Sequence, residues 1–382
     1  MELPAASRRA DPRHGPALRI DEMPAILRPG AEVPARPPAA ETNMHRTIRP
    51  ATIDDVPRMV PLLVEGARER HARDASLWAM ADDPGADTEA ALRFALTADR
   101  QPFRQFWLVA EEGGRMTGIV HAIMLPVPPI YAGDQGEPGL IMPDSVAAPG
   151  APEGTVDALV DAAEETLREA GARILLSAVV AGRLWRSAYD RRSYEPLTLY
   201  LSRRVPAASG ARAEIRPATE ADVSGIVSRS AENRRILFGI HPFWAIHPEA
   251  DARFAAWMTR SLTLGDRDLL VEGPPDAIEG YVIAQPASRL HFPPAHDIGR
   301  TGVIDDFHHG DLGDPAALAR GGADGSAALL EAACAAFGDR GVETAFAVCP
   351  AGWGSKLELL RGAGFETAMT WSIKEASVPA PR

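Results

Sequence analysis

Two spacings of apolar positions alternate along the chain, and each change of spacing marks an element. Positions 107–110 and 118–124 read as two strands joined by Glu111-Glu112-Gly113-Gly114, a turn sequence. Val156, Leu159, Val160, Ala163 and Leu167 then recur at helical spacing, and the apolar run 174–180 follows. The succession returns later: strands at 269–271 and 280–284, a helix with Leu329, Leu330, Ala333, Cys334 and Phe337 on one face, and a strand at 344–348. A long helix leading into another strand implies a parallel crossover, so each series predicts a mixed sheet.

The two series are copies. Ile48-Arg49-Pro50-Ala51-Thr52-Ile53-Asp54-Asp55 has a counterpart in Ile215-Arg216-Pro217-Ala218-Thr219-Glu220-Ala221-Asp222. Each reads as a short strand followed by a Thr-x-x-Asp capping box, with the carboxylate at the positive end of a helix. Trp78 and Trp244, Gly118 and Gly280, and Gly171 and Gly341 stand 166, 162 and 170 residues apart. A period of that length is a domain, not a solenoid repeat, so two similar domains are expected at 44–205 and 213–377, joined by a Pro/Ala/Ser/Gly segment near 206–212. Residues 1–43, crowded with Pro, Ala and Arg, carry neither spacing and lack the apolar core of a secretory signal. A disordered extension is expected there, with Met44 an alternative start.

Composition narrows the function classes. No run approaches the roughly 18 apolar residues that span a bilayer, so no membrane segment is expected. A formal charge of -12 argues against a binder of nucleic-acid backbones. The two cysteines, Cys334 and Cys349, make neither a disulfide framework nor a Cys-based zinc site, which predicts a reducing cytoplasm.

The strand Gly302-Val303-Ile304-Asp305-Asp306-Phe307 leads through Gly321-Gly322-Ala323-Asp324-Gly325-Ser326 into the second long helix. Such a turn leaves the first helical N–H groups free in a positive potential, which suits a pyrophosphate; the alternative is a surface loop ending on a helix cap. Asp305 and Asp306 are neighbours on a strand and are expected to project to opposite faces. The neighbouring imidazoles of His308-His309 would likewise point apart and make a poor metal pair.

The two openings, the strand, loop and Leu-Leu helix at 304–333, and the endings Leu359-Leu360-Arg361-Gly362-Ala363-Gly364-Phe365 and Ala188-Tyr189-Asp190-Arg191-Arg192-Ser193-Tyr194 together resemble the GCN5-related N-acetyltransferase (GNAT) family. The arrangement is similar to the tandem one of mycothiol synthase-like proteins and covers residues 44–377. The resemblance implies an α/β (α+β mixed sheet) fold with two tandem GNAT-like acyl-CoA N-acyltransferase domains, and a soluble enzyme moving an acetyl group from acetyl-CoA to a small-molecule amine without a metal. It implies Asp306, with Asp144 as its counterpart, as the group that takes the amine's proton. Tyr189, replaced by Leu360 in the second copy, would protonate the departing thiolate. Backbone at Phe307 and His308 would meet the thioester and pantetheine. The pyrophosphate would rest on Gly322, Gly325, Ser326 and Ala327, or on Gly154 and Thr155 in the first copy. Both loops depart from the family pattern, which has glycines where Asp324 and Ser326, or Gly154 and Val156, stand. Segments 76–80 and 240–247 would select the acceptor. The alternative is a catalytically inactive tandem module that binds acyl-CoA or a partner protein; aminoacyl transfer from tRNA is disfavoured by the acidic balance.

Overall fold

The computed structural model describes residues 46–180, 183–206, 215–317 and 324–375. The expected extension at 1–43 and most of the 206–212 junction lie outside them. The repeated opening has one physical reason in both copies. After β1 (Thr47–Pro50), Arg49 clamps Asp55 through two hydrogen bonds of 2.7 and 2.8 Å, and the Thr52 N–H donates to the same carboxylate at 2.8 Å. After β8 (Ile215–Pro217), Arg216 holds Asp222 at 2.9 and 2.7 Å and the Thr219 N–H donates at 2.7 Å. These arginine bonds hold both carboxyls below the usual range, Asp222 at about 2. A buried carboxylate is tolerated because it is paired and hydrogen-bonded, and there it closes a capping box on the short turn that leads into α1 (Val56–Arg73) or α5 (Val223–Ile240).

The first copy continues with α2 (Pro84–Thr97), β2 (Gln105–Glu112), β3 (Arg115–Met124), β4 (Gly139–Ile141), β5 (Val146–Ala147), α3 (Thr155–Glu169), β6 (Ile174–Val179), α4 (Arg183–Asp190) and β7 (Glu195–Arg204). The second has α6 (Ala250–Ser261), β9 (Asp268–Glu272), β10 (Gly280–Pro286), β11 (Thr301–His309), α7 (Asp324–Asp339), β12 (Thr344–Pro350), α8 (Gly354–Gly362) and β13 (Glu366–Glu375). The strands form one sheet in the order β1-β2-β3-β4-β6-β13-β7-β12-β11-β10-β9-β8, with β5 extending β4 along β3. Strands are exchanged at its centre. β13, the last strand of the second copy, lies between β6 and β7, and β7 pairs onward with β12. One core cluster accordingly runs through both copies, from Leu140 and Leu176 to Phe346 and Trp371.

The matched glycines mark close helix–sheet contacts. A Cβ on Gly118 would stand 2.7 Å from Leu159 of α3, and one on Gly280 would stand 2.7 Å from Leu329 of α7. Each long helix therefore sits nearer its strand than any side chain would allow.

A second exchange joins the copies through loops. The β3–β4 connection pairs Tyr131 with Ile246, and the β10–β11 connection pairs His296 with Met80. Backbone bonds support both, Ala132 to Ala245 at 2.7 Å and Asp297 to Ala79 at 2.8 Å. Much of segments 76–80 and 240–247, expected to face an acceptor, is thus engaged with the loop of the other copy.

Candidate active site

In each copy the parallel pair at the sheet's middle runs together for a few residues and then parts. β4 pairs with β6 from Gly139 to Ile141, and β11 pairs with β12 from Thr301 to Ile304. What fills the resulting gap differs between the copies.

In the first copy the gap is open. A cleft of about 800 Å³ runs between residues 142–148 and the end of β6, bounded by α4, by α1 and by the first turn of α3. Gly154 caps α3 in the left-handed conformation, φ 77°, which glycine adopts without strain. Thr155 is spent on the loop itself: its hydroxyl donates to the Pro152 carbonyl at 2.7 Å. The first N–H groups of a helix have no intrahelical acceptor, so this turn offers donors and positive potential to an anion. The Ala148 N–H donates to the Thr117 carbonyl at 2.9 Å, so by strand alternation Ala147 directs its N–H towards the cleft it lines. Tyr189 also lines the cleft, its ring packed edge-on against Tyr194 with centroids 5.1 Å apart. Burial, and after it Glu164, push its hydroxyl up, so it stays protonated at neutral pH. Asp144 does not line the cleft; its carboxylate meets His121 Nδ1 at 2.9 Å, and that imidazole stacks on Trp107.

In the second copy the gap is filled. Lys356 reaches from α8 to donate to the Phe307 carbonyl at 2.5 Å, its ammonium 5.0 Å from the Phe307 ring and 4.9 Å from the Trp353 ring. The Trp353 indole N–H donates to the Leu312 carbonyl at 3.2 Å, and the residue is fully buried. Phe307 and His308 therefore meet protein where the resemblance placed pantetheine. Both ring nitrogens of His308 are buried, Nε2 standing 3.5 Å from a Glu232 carboxylate oxygen, and burial, then Lys356, push the imidazole down to about 4. At the start of α7 the Ser326 N–H donates to the chain's own Asp311 carboxylate at 3.2 Å, the place a phosphate oxygen would take. A Cβ on Gly325 would meet His309 at 2.5 Å, and Ala327 is half-buried in the same turn. Gly322 lies outside the described residues.

Asp305 and Asp306 correct one expectation. Val282 faces Phe307 and Ala284 faces Ile304, so the two aspartates together oppose Ile283. This bulge cancels one step of alternation and sets both carboxylates on the same face. Tyr281 donates to Asp306 at 2.5 Å, Asn233 donates to it at 3.1 Å, and Gln285 donates to Asp305 at 2.7 Å. Crowding by protein, and then the Asp306 charge, push Asp305 up to about 7. A carboxyl whose folded pKa lies above its unfolded value favours the folded state at low pH, and that advantage is lost as pH rises through about 7. Asp305→Asn should therefore raise the melting temperature at pH 8 and give no gain at pH 4. Asp305 is exposed, so solvent screens part of the repulsion and the shift should be modest. Equal gains at both pH values would discard the repulsion.

Among the described residues one group could hold a metal ion: ligand atoms of Glu272, Glu279 and His309 lie within 4.8 Å of one another. It stands beside Gly325, outside the first-copy cleft. His241 and His247 each accept, through Nδ1, an N–H two residues on, from Phe243 and Glu249.

No family model matches the sequence, and no curated protein matches it. A GCN5-related N-acetyltransferase from Sphaerobacter thermophilus has a similar structure, with a TM-score of 0.51 over 88% of this chain and 98% of its own at 15% identity. The chain has the GNAT fold, in tandem. A tandem GNAT protein from the clavulanic acid biosynthesis pathway is also similar, with a TM-score of 0.48, 15% identity and coverage of 88% of this chain and 100% of that one. No helix among the described residues is long and apolar enough to cross a membrane.

Within this GNAT fold several residues escaped the sequence reading. Ala147, Arg73 and Trp185 line the first-copy cleft, and none carries a motif. Lys356 shares its short helix with Glu358 and Arg361 as well as Leu357, Leu359 and Leu360, so the sequence did not set it apart. Only its burial marks it out, and a buried charge requires a partner, here the Phe307 carbonyl.

Proposed function

We propose that the chain is an acyl-CoA-dependent N-acyltransferase that takes acetyl-CoA as donor and works through its first copy. The observation that carries this reading is the contrast between the copies: one gap is an open cleft ending on a helix N-terminus, and the equivalent gap is filled by Lys356 and Trp353. The residues present suit the donor. The α3 turn meets the pyrophosphate with N–H groups, and the exposed edge of β5 offers backbone to the pantetheine amides. Bound there, acetyl-CoA supplies the thioester. The Ala147 N–H donates to the thioester oxygen as negative charge develops on it, while a free amine forms the new C–N bond and the C–S bond breaks. Tyr189 gives its proton to the departing thiolate and is reprotonated from solvent. Glu69, exposed on the α1 side of the cleft, takes the amine's proton through water.

A binding module without chemistry is the second reading, favoured by Asp144, whose carboxylate is committed to His121. Release of free CoA thiol from acetyl-CoA separates the two. Amine-dependent release is expected; binding without release for any amine would favour the module.

A further inference from the structure

A second groove meets the first-copy cleft. It holds about 520 Å³, and Arg73 and Val180 line both. Its walls come from both copies through the exchanged strands: Ser202 and Arg204 of β7, Thr344 of β12 and Thr367 of β13, facing Asp74 and Ser76 just beyond α1. Register sets its polarity. Ser202 pairs with Phe346 and Arg204 with Thr344, so Ser202, Arg204 and Thr344 share one face of the sheet. That face carries the C-terminal end of α1, where the Ser76 hydroxyl meets the Thr344 hydroxyl at 2.6 Å. Arg203, one residue along, points the other way and is consumed by Glu331 and the Phe365 ring.

Glu366 lines the groove with an exposed carboxylate, and the cations left in it are Arg73 and Arg204. Both are exposed, and neither makes a side-chain hydrogen bond or ion pair among the described residues. Arg203, by contrast, is tied, and Asp74 accepts the N–H groups of Ser76 and Leu77 at 3.0 Å each. A groove that joins a donor cleft and presents two uncommitted guanidinium groups suits a planar anionic group.

We propose that this groove binds the acyl acceptor, and that the acceptor is a small amine carrying an anionic group, a carboxylate or a phosphate, held by Arg73 and Arg204. The inference rests on the N-acyltransferase reading and names its substrate class. With the anionic group held in the groove, the amine end reaches past the boundary that Arg73 and Val180 share and into the donor cleft.

The test compares matched primary amines with and without an anionic group, glycine against glycinamide and phosphoethanolamine against ethanolamine, in the thiol-release assay on the full chain. The anionic partner of at least one pair should be used with kcat/KM about tenfold higher, and Arg204→Gln should remove that advantage through KM with kcat and the neutral amines unchanged. The pair that shows the preference distinguishes carboxylate from phosphate. Equal use of both partners of each pair, or an advantage that survives Arg204→Gln, would overturn the proposal. Direct binding keeps it separate from the catalytic reading. If no amine releases thiol, calorimetry with glycine and phosphoethanolamine on the acetyl-CoA-saturated chain decides: binding lost in Arg204→Gln sustains the anion site and sinks only the chemistry, and no binding sinks both.

Discussion

Tyr189→Phe is expected to lower kcat for acetyl transfer by about a hundredfold, the lower end of what a positioned acid contributes, while leaving the KM for acetyl-CoA within about twofold. The substitution removes one oxygen and little else. The Tyr189 ring is buried against Tyr194 and Trp185, contacts that phenylalanine keeps, so melting temperature should move little. Burial, and after it Glu164, raise the hydroxyl's pKa, so the group is present in its protonated form at neutral pH. Steady-state kinetics with a circular-dichroism melt on the same preparation checks both halves of the statement. A variant with unchanged kcat would remove Tyr189 from the reaction.

Trp353→Ala should cost about 3–5 kcal/mol of stability, the range for deleting a buried aromatic side chain from a core. Trp353 is fully buried, bonds the Leu312 carbonyl and stands against the Lys356 ammonium, so its loss opens a cavity beside a buried charge. The exchanged strands predict how the loss is felt. Because β13 sits between two first-copy strands, destabilising the second copy should lower a single transition in urea and not split it into two. Acetyl-CoA affinity, measured where the variant remains folded, should stay close to that of the parent chain, since the α8 filling is not part of the first-copy cleft. A cost under about 1 kcal/mol would contradict the packing account.

Local features were legible in the sequence because local spacing determines them. The long helices with their apolar faces, the matched Gly118 and Gly280, and the paired Thr-x-x-Asp boxes all recur in the structure at the residues that announced them. The exchange of β13 was not legible. β7 and β13 are both ten-residue strands with buried centres, and nothing in either names its neighbour, because partner choice is a long-range matter that alternation leaves open. The bulge at Asp305 and Asp306 stayed hidden for a related reason: it is one residue of slip against β10, visible only once the partner strand is known. The second copy has the cleaner strand and helix in sequence, yet its gap is closed by a lysine four residues before Leu360, while the first copy keeps Tyr189 and the space beside it. Whether a gap is open depends on side chains that reach into it from a separate helix, which a motif does not record.

On the proposed reading, the filled second-copy gap gives the tandem a division of labour. The first copy keeps the donor cleft, and the second lends β12 and β13 to the groove beside it. A chain of two similar copies would then hold one site, and its stoichiometry follows from which gap is filled.

Isothermal titration of acetyl-CoA into the full-length chain, repeated on Gly154→Glu, tests this most directly. Glutamate at Gly154 sets a carboxylate at the α3 N-terminus on a left-handed backbone and should cost at least tenfold in affinity. The account predicts one acetyl-CoA per chain, with binding weakened in the variant. Two per chain, or a single site indifferent to Gly154→Glu, would contradict it.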